Sequence, residues 1–506
     1  MKYFTLLFVF FLSNTCFSQA KKIQILNSEQ TYKNETDYPG AIILNGNVKV
    51  SHKGIVLNCN KALYYRKKNL LHAYGNILIN QGDTIKQKSD YTHYNGNTSK
   101  IVSWGKVVLT DPNITLKTDT LHFDRVSQEL YYNCYATIKD DKNQLRSKNG
   151  TYFTEQKKFS ATKQVVIENS EDKMVSNHVD YFTENKQVYF YGPSTITTKE
   201  SISFAEKGFY DTENKISKLI YNSKIKYDNR TIEGDLIYSD KNKEFTSSTG
   251  NIIITDSINN SIIKGGHAEF YKLHDSVIVV DKPVAISIVE KDSMFIHGDT
   301  LLITGKKKER IIRAYHHVKI FKTDLRGKCD SLYSDQKSGF TKLFSKPVLW
   351  FGENQITGDH IQLLSDTKTS MLDSLFIEKN AFIIQKDSAG FNQIKGKNMF
   401  GKFKENKLHS LLTKGNGEVI NYVRDEEKNL IAILKMTCSN ILFELSKNSI
   451  DSIRFLKNPE GKTYPPSQFP EEKRTLKGFL WRGAEKPLKK DDIFIHDKQM
   501  QSSIVF

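Results

Sequence analysis

Residues Asn69–Ile79 read NLLHAYGNILI, and Thr84–Tyr94 read TIKQKSDYTHY. In both, apolar residues alternate with other residues at period two, which is the pattern of a half-buried strand. Ile, Leu, Thr and Tyr dominate, and most of these suit a pleated sheet. Gly75 and Ser89 interrupt the two runs at their centres. A tiny residue in mid-strand marks a bend or a close backbone approach. The pair therefore reads as a hairpin of two long strands, each bent in the middle.

Working outward, the first half-motif recurs. It is GNVKV at Gly46–Val50, GNILI at Gly75–Ile79, GKVVL at Gly105–Leu109 and CYATI at Cys134–Ile138. KQVVI at Lys163–Ile167 and GPSTI at Gly192–Ile196 continue it at steps of 29 or 30 residues. Later copies start at Gly250, Pro283, His317, Pro347 and Gly417. The second half-motif centres on Cys59, Ser89, Thr118, Ser147, Ser176, Ala205, Gly234, Gly265, Gly298, Cys329, Gly358, Gly396 and Cys438. From Ser89 to Gly234 its step is 29 every time, and insertions precede Gly396 and Cys438. Turn clusters such as Asn95-Gly96-Asn97 and Asp140–Asn143 separate the runs. A fixed period of this length is the mark of a repeat architecture. The prediction is an all-β, elongated, open twisted β-jelly roll. It is a V-shaped trough of about 13 two-strand repeats, roughly 125 Å long at ~4.8 Å per strand.

Composition agrees. The 506 residues carry 74 basic and 57 acidic side chains, a net charge of +17, with 30 Phe and 24 Tyr. That is too much aromatic matter for a disordered chain. Five cysteines without a CxxC pair exclude a disulfide scaffold and a zinc site. Of ten prolines, five lie after residue 458, so the array itself nearly lacks them.

Residues 1–20 have the layout of a secretory signal peptide: Lys2, an apolar run Tyr3–Leu12, then Ser13–Ala20. The array is expected over 21–456, most regular over 46–212, with a Pro-rich tail over 457–506. No apolar run reaches the ~18 residues of a membrane-spanning helix.

The GNV-x-V and I-x-small-D-x-apolar-x-Y motifs, repeated behind a signal peptide, resemble the OstA-like family of periplasmic lipopolysaccharide-transport proteins. The resemblance covers residues 23 to about 445. It implies a β-jelly roll that carries lipid A acyl chains inside, in the periplasm or at the outer membrane. It also implies strand-edge docking with other β-jelly-roll transport components, including an outer-membrane assembly barrel. The chain departs from the family in being several times longer than the short periplasmic bridge protein.

Alternation assigns the inward residues. On the first strands these are Val48, Val50, Ile77, Ile79, Val107, Leu109, Ile138, Val165 and Ile167. On the second they are Ile55, Leu57, Tyr64, Ile85, Tyr94, Leu116, Leu121, Phe123 and Tyr181. Two arrangements remain open for them, a lipid-binding groove lining and a closed core. No catalytic residue, cofactor, metal site or nucleic-acid motif is found. The recurring Asp90, Asp119, Asp235, Asp299, Asp330 and Asp359 sit at one structural position, so they are expected to hydrogen-bond local backbone. His316 and His317, adjacent on a strand, are expected to point to opposite faces. Basic turns such as Arg66-Lys67-Lys68 and Lys306–Lys308 are solvated or attract phosphate. The tail either lies across the last repeat, caps one end, or docks a partner. The rival to the whole reading is an exported, non-enzymatic parallel β-solenoid of adhesin type without lipid.

Overall fold

The computed structural model describes residues 22–495 except 83, 290–291, 307–308, 370, 406 and 447–448. The expected signal peptide, Lys307 and Lys308 lie outside the described residues. The chain forms two compact units. Unit 1 runs to Thr198 and includes Asp211–Glu213; unit 2 comprises Lys199–Tyr210 and Asn214 onward.

Among the described residues the structure is strand throughout, apart from five short 3-10 segments, four of them in the tail. In unit 1, Ile42–His52 pairs with Ile55–Tyr65, which pairs with Leu70–Gln81, which pairs with Ile85–Asn95, and so on. Unit 2 repeats the scheme from Ile216–Tyr227 onward. All of these pairings are antiparallel. A parallel β-solenoid would stack like against like, so that rival is corrected by the pairing itself.

The predicted bend is a backbone event. Between Asn45 and Val48 the ladder slips against Lys61 and Cys59. The residues at the slip, Gly46 and Asn47, have φ of +74° and +44°. Two consecutive left-handed residues recur at 75–76, 105–106, 163–164, 221–222, 250–251 and 281–282. They recur again at 316–317, 345–346, 379–380, 415–416 and 457–458. This is the physical content of the Gly-Asn motif, because Gly takes φ > 0 freely and Asn tolerates it. The pair reverses the pleat and folds each strand into two arms. At Gly192-Pro193, where proline cannot take positive φ, the strand breaks into Gln187–Phe190 and Ser194–Thr197.

The corner explains the second motif. A Cβ on Gly75 would stand 3.0 Å from Asn60 Nδ2, and one on Gly105 2.9 Å from the Asp90 Cβ. Three of the motif acids, Asp235, Asp299 and Asp359, bind the second corner residue of the next strand. Asn251 Nδ2 donates to Asp235 Oδ2 at 2.8 Å, and Asn380 Nδ2 to Asp359 Oδ1 at 3.0 Å. These acids were expected to pair with backbone; the left-handed turn instead points a side-chain donor at them. His317 and His316 fill the same role, 2.8 Å from Asp299 and 3.4 Å from Asp330. Their consecutive left-handed backbone suspends strand alternation, so they reach the acids on either side rather than opposite faces. The small residues are inward and have no room to grow: a Cβ on Gly396 would stand 2.2 Å from Thr413 Cγ2.

In unit 2 the tail lies across the outer face of one arm. Two fully buried glutamines hold it. Gln393 Nε2 donates to the Arg474 carbonyl at 2.7 Å, and its Oε1 accepts from Leu476 N at 2.8 Å. Gln355 treats Leu480 and Arg482 the same way, at 2.7 and 2.6 Å. Phe469 and Leu476 bury themselves against Phe382, Ile384, Ile420, Tyr422 and Ile433. Glu485 clamps Arg482 and Lys328.

Two outcomes follow from this geometry. Gly75→Ala forces a Cβ into a left-handed corner and should cost about 1–2 kcal/mol. Gly192→Ala, with open space around it, should be neutral or stabilising by up to about 1 kcal/mol; urea midpoints compare the two. The Arg482 guanidinium and Lys328 hold Glu485 down at about 2 despite its partial burial. Its contribution to tail docking is then complete above the free-Glu range and is lost as pH falls from about 4.5 toward 2. Trp481 fluorescence should report tail release over that window, and Gln393→Leu should shift the release to higher pH.

Candidate functional site

All eighteen residues assigned to the interior are buried, none more than 7% exposed, and all belong to unit 1. Their strands place them on the inner faces of the two arms. Near the corner, polar side chains join the arms: Gln87 Nε2 donates to Ser103 Oγ at 2.5 Å, and Tyr132 OH meets Ser147 Oγ at 2.6 Å. Buried hydroxyls need such partners. At this end the interior is narrow and filled.

Opposite the corner, the arm ends face each other across a mouth, and polar side chains lace it. Tyr152 OH donates to Asp111 Oδ2 at 2.7 Å, and Lys157 Nζ to the same oxygen at 2.8 Å. One repeat on, Tyr181 OH donates to Asp140, with Lys186 Nζ at 3.3 Å. The Asp111 and Asp140 side chains are 2% and 0% exposed. Burial, and then the neighbouring carboxylate, push both tyrosine hydroxyls up, so they remain protonated donors. Further along the same rim, Arg125 donates to Gln81 Oε1 at 2.9 Å and to the Lys53 carbonyl at 2.7 Å. Gln81 Nε2 donates to Gln128 Oε1 at 2.8 Å. The eighteen residues are thus brought together as one continuous apolar interior, sealed along its mouth.

Unit 2 begins with similar lacing. Arg230 and Arg310 grip Asp275 at 2.9 and 3.1 Å, with Asp256 beside them at 3.7 and 3.8 Å. Further along, the mouth opens into a cavity of about 380 Å³. Its depth is apolar, from Ile356, Ile383, Ile394 and Val419 on one arm and Leu411 and Phe443 on the other. Its rim carries Asn354, Gln385, Asn392, Arg326, Glu353 and Lys407. An apolar chamber of this size with a few polar groups at its lip has the form of a small-molecule site. The sequence assignment missed these residues, since it stopped at the most regular copies. The signal was present as alternation in Leu372–Asp387 and Lys407–Arg424.

Nucleophilic chemistry has no foothold at the buried thiols. Burial pushes Cys59 up to about 11 and Cys329 to about 12. Among the described residues no group of His, Cys, Asp and Glu is placed to hold a metal, and no helix is long and apolar enough to cross a membrane.

Residues 20–177 match the OstA-like protein family. The matched stretch takes in residues 46–177 of the most regular repeats and all but Tyr181 of the eighteen interior residues. Among solved structures, one neighbour is LptH, titled the LptA homologous periplasmic component of the conserved lipopolysaccharide transport device from Pseudomonas aeruginosa. It is 16% identical, covers 28% of this chain and 92% of its own, with a TM-score of 0.21. No curated protein matches.

The cavity makes a direct prediction. A fluorescent apolar probe should bind unit 2, and Leu411→Trp, which fills the chamber, should weaken binding about tenfold, the worth of roughly two lost methylene contacts. Val126→Trp, on the exposed surface, should leave probe affinity unchanged.

Proposed function

We propose that the chain is a non-catalytic carrier of lipopolysaccharide or a closely related glycolipid, moving it across the periplasm to the outer membrane. The observation that carries this reading is the interior itself. In each unit two arms enclose an apolar space along successive repeats, and unit 2 has a chamber with a polar lip. Shielding an acyl chain from water is worth ~0.8 kcal/mol per methylene. A long chain therefore needs a lining that runs over several repeats, and each unit has an apolar interior of its own: the eighteen residues in unit 1 and the cavity in unit 2. The OstA-like match over 20–177 supports the same class of cargo.

Docking belongs to the strand edges. Gln24–Asn27 and Gln30–Tyr32 are exposed short strands, with Ile25, Leu26 and Tyr32 bare on them. Glu460–Tyr464 is the last strand of unit 2 and is exposed along most of its length. Such edges accept an added strand from another jelly roll. In this reading they join the chain to other transport components, the outer-membrane assembly barrel included. Export would come from residues 1–20 and the mature array from 21–456.

The test is site-specific photo-crosslinking in cells. A photoreactive residue at Ile383 or Ile79 should capture glycolipid, while one at exposed Val126 should not. Depletion should leave lipopolysaccharide short of the cell surface. Silent interior positions together with normal surface delivery would sink the proposal.

A further inference from the structure

The sealed mouth of unit 1 sets a physical problem for any amphiphile with a large polar head. Its acyl chains belong among Val107, Leu116 and Phe123, but its sugars and phosphates cannot follow. Each unpaired polar group taken inside would cost several kcal/mol. The head has to stay outside while the chains lie inside, which requires a slot along the rim. The described rim is closed where that slot would run.

We infer that the Tyr–Asp–Lys sets Asp111–Tyr152–Lys157 and Asp140–Tyr181–Lys186 are latches that part to admit a lipid laterally into unit 1. This rests on the glycolipid-carrier reading. The two sets are copies of one device, each member displaced by 29 residues from its counterpart, as the repeat requires. In both, the acid comes from the rim of one arm and the tyrosine and lysine from the rim of the other. Within their own arms Asp140 Oδ1 accepts from the Lys142 and Asn143 backbone N–H and Tyr152 stacks on Phe159, but the Tyr–Asp and Lys–Asp contacts themselves all run from one arm to the other.

The chemistry of the seam suits reversible opening. Asp111 Oδ2 takes both donors while Oδ1 is buried with no hydrogen-bond partner. A buried acceptor left unpaired costs free energy in the closed state. Opening brings that oxygen to water. A buried ion pair adds little net stability over an apolar seam of the same shape, whereas an apolar seam would expose its whole surface on parting. Asn143 extends the second latch, donating to Tyr181 OH at 3.0 Å and Thr212 Oγ1 at 3.1 Å. Lys142 and Glu213 pair outside it, half-exposed. The seam is therefore a line of polar contacts that water can replace, laid over an apolar interior that a lipid can replace.

The experiment staples the mouth. Gln81→Cys with Gln128→Cys, and Lys142→Cys with Glu213→Cys, are introduced on a Cys134→Ser background and bridged by a short bis-maleimide containing a reducible disulfide. The probe is purified deep-rough lipopolysaccharide, and photoreactive residues at Leu116 and, separately, at Ile383 read its arrival. The expected result is capture at Leu116 in the open protein, at least tenfold less when stapled, and recovery on reduction. Capture at Ile383 should persist throughout. Asp111→Asn with Asp140→Asn, which weakens both latches, should load Leu116 several-fold faster. Equal capture at Leu116 with and without staples would overturn the latch, as would capture at Ile383 with none at Leu116 in the open protein. Silence at both positions in the open protein would overturn the carrier reading beneath it.

Discussion

A strand that must line two walls has to turn once without leaving its ladder, and the paired left-handed residues at its centre are what turn it. The alternation of side chains, the packing of the arms and the position of the mouth all follow from that corner. A left-handed residue other than glycine costs about 1–2 kcal/mol. The fold meets that cost at Lys163-Gln164, Tyr221-Asn222 and His316-His317, where neighbouring corners on either side dictate the backbone. At Asp235, Asp299 and Asp359 the acid of the second motif then binds the corner of the next strand, so one corner supports its neighbour. This is nearest-neighbour stabilisation of the kind expected in repeat arrays.

Much of this was legible in the residues. Gly46-Asn47, Gly75-Asn76 and Gly250-Asn251 announce a left-handed pair by composition, and alternation around them placed all eighteen interior residues on the buried side. What was not legible depended on distance. The role of Gln355 and Gln393 exists only because a tail more than eighty residues later presents unpaired backbone to them. Nothing in the local sequence of His316-His317 distinguishes a strand from a corner, since context imposes the positive φ there. Of the lacing acids, Asp140 reads as an ordinary turn residue and Asp111 carries no signal of its own, and only the folded arms bring Tyr181 and Tyr152 to them.

The contrast between the two interiors has a sequence cause. In unit 1 the step of 29 or 30 residues keeps arms short, and their ends meet. Later insertions lengthen the strands to 16, 15, 18 and 17 residues at Leu372–Asp387, Gly390–Lys404, Lys407–Arg424 and Leu430–Ser446. Between these longer arms a chamber forms. Those same arms carry apolar residues on the outer face as well, which the proline-rich tail covers. The irregularity of the late repeats thus accounts for both the cavity and the tail, and the scarcity of proline elsewhere follows from the need for ladder donors.

The central claim is that the interior holds a lipid. Native mass spectrometry of the protein released gently from its own cells tests it most directly. The account predicts a population heavier than the bare chain by one glycolipid, reduced by Leu411→Trp in unit 2. A bare chain alone, from cells rich in lipopolysaccharide, would contradict it.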